Sequence, residues 1–184
     1  MKNGKKLSIN YTSFFTELLP LAFFFVAYNF LGIINAALIS SIGSIFILLY
    51  FFKKENEISF FQIFSTFCIV LFSFLAFFLQ NSVFVKIQPT VFNGSFSLIL
   101  IAGLLYDRAI MKDFFGRQFS LNNQTWKILS FRWGCFFLFL AILNELIWRN
   151  FTDDIWVYFK TFFIAPLSII FMLLQLPITL RGRI

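Results

Sequence analysis

The chain has 184 residues, of which 60% are hydrophobic and only 12% are charged, and its mean hydropathy is +0.86. Soluble domains carry about 25% charged residues, so this composition excludes an ordinary soluble domain and indicates a membrane protein. The chain has no histidine, which excludes zinc sites and acid–base catalysis that depend on imidazole. Its net charge of +7 comes from short basic clusters between apolar runs. This pattern is typical of membrane topology, whereas a nucleic-acid-binding protein needs a contiguous basic face.

The apolar runs predict an all-α, polytopic membrane bundle of six transmembrane helices. Residues 18–52 contain no charged side chain, and one helix of this length would be roughly 52 Å long, too long to cross a bilayer core of about 30 Å once. Turn residues in "NFLGIINAA", which are Asn29, Gly32 and Asn35, predict a break that divides the run into two helices. The predicted spans are 18–33, 36–52, 59–79, 87–106, 128–148 and 155–178. Because no linker or repeat interrupts them, residues 1–184 are predicted to form a single domain.

The distribution of basic residues predicts the orientation of this bundle. With the N-terminus in the cytoplasm, twelve basic residues fall on inner segments: Lys2, Lys5, Lys6, Lys53, Lys54, Arg108, Lys112, Arg117, Lys127, Arg132, Arg181 and Arg183. Only Lys86, Arg149 and Lys160 fall on outer segments. Positively charged residues accumulate on the cytoplasmic side, so both termini are predicted to be cytoplasmic. Five spans are the alternative, in which residues 18–33 are re-entrant or interfacial and the count becomes nine against six.

The longest polar stretch, "YDRAIMKDFFGRQFSLNNQTWK" at 106–127, is expected on the cytoplasmic side. Its first half can form a helix that has two faces, with Ala109, Ile110, Phe114 and Phe115 on one and Arg108, Lys112 and Asp113 on the other. Such a helix would lie along the lipid headgroups. The alternative is an ordinary connector that ends at Gly116.

Aromatic and basic residues near the ends of the last two spans predict anchors at the membrane interface. Arg132 lies about one turn from the cytoplasmic start of its helix, where its long side chain can reach the lipid phosphates. The tryptophans near the helix ends are predicted to lie at the same interfaces. They are Trp126, Trp133, Trp148 and Trp156.

Glu145 is the acidic residue most deeply embedded in an apolar run, and it is expected to face the inside of the bundle. At about 100° per residue it shares a helical face with Gly134, Leu138 and Ala141, and small residues favour close helix packing. A buried carboxylate needs a partner. If the last two spans form a hairpin centred between Thr152 and Asp153, Glu145 and Lys160 are equally far from its centre and lie at the same depth in the membrane. We therefore predict a structural Glu145–Lys160 pair, with Arg149 as the alternative partner.

No catalytic, cofactor-binding or metal-binding site is predicted. Asp153 and Asp154 could bind a cation, but two adjacent acids in a hairpin turn are expected to be a solvated loop. No Ser, Thr or Cys has a visible base, and no glycine-rich phosphate loop is present. The sequence therefore favours a protein that is not an enzyme.

Several segments resemble the intracellular septation protein A family of small bacterial inner-membrane proteins. They are "ELLPLAFFFVAY", "VKIQPTVFNGSFSLILIAGLL", "FFGRQFSL", "WKILSFRWGCFFLFLAILNELIWRN" and "IWVYFKTF", in the order of the family. The C-terminal half is the most specific, with Trp126, Arg132, Trp133, Phe136, Phe137, Asn144, Trp156, Phe159 and Lys160 at the family's spacing. One departure is Gln88, which stands where the family has lysine before Pro89 and Thr90.

The resemblance implies a role in cell division, septum formation and envelope maintenance, in the bacterial inner membrane. It implies contacts with other division and wall-synthesis proteins and names no catalytic residue or cofactor. Membrane lipids are expected partners, nucleic acid is not, and a homo-oligomer is left open. The alternative function is a small transporter or channel component in which Glu145, Asn144 and Lys160 line a polar route.

Overall fold

The computed structural model describes residues 11–55, 60–116 and 119–184, and their regular structure is helical. The elements are α1 (Tyr11–Glu55), α2 (Phe60–Leu79), α3 (Val83–Leu105), α4 (Ile110–Phe115), α5 (Asn123–Asn150), α6 (Asp153–Tyr158), a π-helical turn (Phe159–Ile164) and α7 (Ala165–Arg181). The β-pairing of the described residues is one isolated bridge between Leu121 and Arg183. The predicted all-α class is confirmed.

Five helices in the described part of the chain are long and apolar enough to cross a membrane. They are Leu19–Lys54, Phe60–Leu79, Val83–Leu105, Asn123–Asn150 and Asp153–Arg181. The first of them is folded back on itself, so it provides two of the six predicted spans. Residue 59 of the third predicted span lies outside the described residues, as do Lys2, Lys5, Lys6 and Arg117, which the orientation prediction counts. The side of the membrane on which the termini lie stays a prediction.

Gly32 divides α1 into two antiparallel arms, as the turn residues of "NFLGIINAA" predict. Its φ of 74° and ψ of 174° interrupt the helix. The Ser40 hydroxyl in the second arm donates a hydrogen bond to the Pro20 carbonyl in the first, at 2.7 Å. The arms also touch at Gly43, where a Cβ atom would lie 2.8 Å from the ring of Phe23. The predicted break is confirmed, and Gly32 is the residue that makes it.

Helices α3 and α5 form the centre of the bundle because small residues on α5 let them approach closely. A Cβ atom on Gly134 would lie 2.9 Å from the Ile101 side chain of α3. Ala141 is buried on the same face, with 5% of its surface exposed. Leu138, which the sequence placed on this inward face, is 45% exposed. The inward face is therefore narrower than predicted, and Leu138, about 40° from Gly134, lies outside it.

Two clusters of buried side chains fill the interior, one toward each end of the bundle. The first lies at the end that holds the Gly32 break and the α2–α3 and α5–α6 turns, which we name the hairpin end. Phe24, Val85 and Trp156 are among its members. The second lies toward the opposite end, which we name the terminal end, and includes Phe96 and Trp126.

The short helix α4 packs on the terminal end of the bundle. Met111 is buried, and its backbone N–H donates to the Ser130 hydroxyl of α5 at 3.2 Å. The Phe114 ring stacks on Phe60 of α2 with the centroids 6.0 Å apart. The apolar face of α4 therefore packs on the bundle, while the position of this helix along the lipid headgroups stays a prediction. The bundle itself offers an aromatic surface that buries the same residues.

Replacing Gly32 with alanine is expected to destabilise the folded chain without any steric clash. No atom lies within 4 Å of a Cβ placed on Gly32, so the cost comes only from the backbone conformation that glycine alone adopts readily. We expect Gly32→Ala to lower the free energy of unfolding by about 1–3 kcal/mol. Detergent-induced unfolding in mixed micelles measures this change.

Gly94 provides the matched control, because it is a helical glycine of α3 that also has no atom within 4 Å of an added Cβ. Gly94→Ala should leave stability unchanged or raise it slightly, since alanine favours the helix. Equal effects of the two substitutions would contradict the role assigned to Gly32.

Candidate functional site

A group of polar side chains at the hairpin end joins four helical elements. Helix α5 ends at Asn150 and α6 begins at Asp153, which brings both next to the start of α3 and the Gly32 hairpin of α1. We name these residues the polar cluster: Tyr28, Lys86, Thr90, Asn144, Glu145, Arg149, Asp153, Asp154 and Trp156.

Asn144 is the centre of the polar cluster. Its Nδ2 donates to the Lys86 carbonyl and to Thr90 Oγ1, both at 2.8 Å. Its Oδ1 accepts a hydrogen bond from the Trp156 indole at 3.0 Å. Asn144 is 5% exposed and Trp156 is fully buried. One amide thus links α3, α5 and α6, and the low polarity of the surroundings makes its loss costly.

The carboxylate of Glu145 is held from two sides. Thr90 Oγ1 donates to Oε1 at 2.7 Å, and Arg149 Nε donates to Oε2 at 2.6 Å. The Thr90 hydroxyl therefore accepts from Asn144 and donates to Glu145, which forms a continuous chain of hydrogen bonds. Hydrogen bonds connected in this way polarise and strengthen one another. The Glu145 side chain is 25% exposed and that of Arg149 is 61% exposed.

The predicted Glu145–Lys160 pair is replaced by the alternative partner, Arg149. Lys160 instead places its ammonium 4.9 Å from the ring centroids of both Phe24 and Trp156. Helix α5 ends at Asn150 and α6 begins at Asp153, so the turn is centred between Phe151 and Thr152, one residue before the predicted centre. Lys160 also lies on the π-helical turn, which changes the direction of side chains relative to an α-helix.

The two acids of the α5–α6 turn are bound to other helices. Asp153 accepts from the Lys86 ammonium at 2.8 Å, and the Lys86 side chain is only 13% exposed. Asp154 accepts from the Tyr28 hydroxyl at 2.5 Å. Both acids are still partly or largely exposed at the turn, as expected, but residues far away in the sequence supply a partner for each. Within the described residues, no group of three or more Cys, Asp or Glu side chains could hold a metal ion.

Two of the predicted interface anchors lie inside the protein. Trp126 is 2% exposed and Trp156 is fully buried, so neither indole can contact lipid. Trp156 has its polar atom satisfied by Asn144, which is why it can be buried. Trp148 lies beneath the Arg149 guanidinium, 4.6 Å from its ring centroid. The interface roles of Arg132, Trp133 and Trp148 stay predictions.

Sequence reasoning identified Asn144 and Glu145 but missed their partners on α3, and it missed Tyr28 of α1 as the partner of Asp154. Lys86 and Thr90 are four residues apart, so both lie on the face of α3 that meets α5. That spacing was the feature of the sequence from which these two partners could have been predicted. No local pattern could have identified Tyr28, because it and its partner Asp154 are 126 positions apart in the sequence.

The comparisons with known proteins agree with the resemblance seen in the sequence. A family model described as "Intracellular septation protein A" matches residues 12–182. Similar proteins include the "Inner membrane-spanning protein YciB" of Mesorhizobium japonicum, 42% identical over 61% of this chain and 50% of the relative. The same-named protein of Agrobacterium fabrum is 41% identical over 63% of this chain and 57% of the relative. The same-named protein of Brucella suis is 43% identical over 60% of this chain and 55% of the relative.

The chain spans only about half the length of these curated relatives. No solved structure matches it. The family match nevertheless covers nearly all of the chain, including every residue of the polar cluster. The chain therefore belongs to the intracellular septation protein A family.

Proposed function

We propose that the protein is a non-enzymatic, multi-pass protein of the bacterial inner membrane that acts in septation and envelope maintenance. It would act by contacting other membrane proteins of division and wall synthesis. The inner-membrane location is supported by the five membrane-length helices and by the name "inner membrane-spanning" of its relatives. The link to septation is supported by the family description.

The observation that carries this proposal is that the side chains of the polar cluster satisfy one another. Thr90, Asn144 and Glu145 form one connected set of hydrogen bonds, and Lys86 and Asp153 form an ion pair. Such contacts hold helices in one arrangement. A transport pathway needs polar groups that face an aqueous route and exchange partners with a solute.

A concave surface of the protein lies away from the cluster. A groove of about 430 Å³ runs between the two arms of α1. Apolar side chains such as Leu19, Phe23 and Ile47 line it, and no residue of the polar cluster does. Its lining suits lipid chains, which supports a bundle that is solvated by the bilayer.

Large apolar side chains cover the outside of the helices and offer surfaces for other membrane proteins. Phe30 is 81% exposed, Phe78 is 73% exposed and Leu98 is 72% exposed. In a bilayer these side chains meet lipid or a neighbouring helix. A protein that acts by binding other membrane proteins needs such surfaces on helices whose arrangement is fixed. The hydrogen bonds of the polar cluster support a fixed arrangement.

The alternative is a small transporter or channel component that uses Glu145, Asn144 and Lys160. One observation favours it: Lys160 is a cation on a π-helical turn within a membrane span, and π-helical turns often occur at functional sites. Substitutions at Glu145 distinguish the two functions.

Glu145→Gln should support division in a bacterium that lacks its own family member, whereas Glu145→Leu should not. The glutamine amide oxygen can still accept from Thr90, while leucine leaves Thr90 and Arg149 without their acceptor. Cell length and the amount of protein in the membrane are measured together. Failure of both variants at normal protein levels would show that the charge itself is needed and would favour transport.

A photoreactive phenylalanine analogue tests the proposed contacts in living cells. At Phe78, which is exposed, it should crosslink to other membrane proteins that act in division or wall synthesis. At Phe96, which is 1% exposed, it should react only within the chain and serves as the control. Adducts of Phe78 with lipid alone would contradict the proposal for this surface, and adducts of twice the chain mass would identify a homo-oligomer.

A further inference from the structure

Lys160 differs from the other two cations of the hairpin end because no carboxylate of the described residues is paired with it. Lys86 is paired with Asp153, and Arg149 is paired with Glu145. The remaining acid of this end, Asp154, accepts from the Tyr28 hydroxyl. In the part of the chain that the structure describes, the recorded contacts of the Lys160 ammonium are with the rings of Phe24 and Trp156.

The two rings stabilise the positive charge but leave its hydrogen-bonding capacity unused. The ammonium lies 4.9 Å from each centroid, within the range of cation–π attraction. An ammonium carries three N–H donors, and aromatic faces are weak acceptors. Phe24 is 3% exposed and Trp156 is fully buried, so these rings form fixed walls. Lys160 itself is only partly buried, and its ammonium nitrogen is not among the fully enclosed, unpaired polar atoms of the described residues, so it keeps some accessible surface.

The backbone at this position is also irregular. Lys160 lies on the π-helical turn Phe159–Ile164, between α6 and α7. The Thr161 hydroxyl on the same turn is buried and has no hydrogen-bond partner among the described residues. Buried polar groups are normally satisfied, and π-helical turns concentrate at functional positions. The turn therefore combines an open cation with a second unsatisfied polar group.

The depth of the ammonium suggests which anion can reach it. Side chains on a helix lean toward its N-terminus, and the Lys160 side chain follows this rule by lying over Trp156. Trp156 is four residues beyond Thr152, roughly 6 Å along the helix axis. The headgroup layer on each side of the core is about 5–7 Å thick. With the hairpin turn at the membrane surface, the ammonium lies where lipid phosphates meet acyl chains.

We propose that Lys160, held between Phe24 and Trp156, binds the phosphate of an anionic phospholipid. The ammonium donates hydrogen bonds to the phosphate oxygens, and the acyl chains lie along the exposed aromatic side chains beside the π-helical turn. Tyr158 and Phe162 on this surface are 53% and 58% exposed. Because three cations and three carboxylates are present at this end, the charge of the end as a whole does not select an anionic lipid. Selection rests on the one ammonium without a partner.

Native mass spectrometry of the full chain in detergent tests this proposal with three probes. They are phosphatidylglycerol, phosphatidylcholine with the same acyl chains, and inorganic phosphate. The chain should retain phosphatidylglycerol in preference to phosphatidylcholine. Lys160→Met should weaken phosphatidylglycerol binding roughly fivefold, the effect of one basic side chain at a membrane surface. Lys160→Arg should keep most of the binding because it keeps the charge.

Lys127→Met is the matched control, since it removes the same charge from an ammonium that already has a partner, Asp107, and that lies outside the polar cluster. It should bind phosphatidylglycerol like the unmodified chain. Equal losses in Lys127→Met and Lys160→Met would show a general charge effect and overturn the proposal. So would equal binding of the two lipids by the unmodified chain, a result that does not depend on whether a variant folds. Binding of inorganic phosphate without any preference for phosphatidylglycerol would assign the ammonium to a free anion instead.

Discussion

A polar group inside a bilayer has to find its partners within the protein, and this constraint organises the hairpin end of the bundle. Asn144 has two N–H donors and a carbonyl acceptor in a membrane helix, and all three are used by α3 and α6. Its partner Thr90 passes the chain of hydrogen bonds on to Glu145. Without these partners each group would face hydrocarbon, so the relative positions of α3, α5 and α6 are specified by polar contacts as well as by packing.

The rest of the fold is consistent with a scaffold that is fixed at this end. Gly32 folds α1 back so that Phe24 and Tyr28 reach α6. Gly134 and Ala141 bring α5 against α3, which places Asn144 next to Thr90. The family to which the chain belongs is described by septation rather than by a reaction. A bundle with internally satisfied polar groups and apolar outer faces is suited to holding a surface in place for partners.

Features that depend on composition and local turn residues could be predicted from the sequence. Features that depend on helix register and on contacts between distant residues could not. The helical class and the Gly32 break follow from apolar runs and turn residues, and both are confirmed. The inward direction of Glu145 follows from helical periodicity, but its partner depends on the centre of a turn. A shift of one residue in the centre of this turn, together with an unforeseen π-helical turn, moved Lys160 out of reach of Glu145. The burial of Trp126 and Trp156 depends on which helices cover them, which local sequence does not specify.

The most direct test of this account is a double-mutant cycle between Thr90→Val and Asn144→Leu, with unfolding free energies measured in mixed micelles. Both residues take part in the hydrogen bond between α3 and α5. If the polar cluster holds the helices together, the double variant should be less destabilised than the sum of the single variants, by about 1 kcal/mol. Strict additivity, with no coupling between the two positions, would contradict the central role assigned to the cluster.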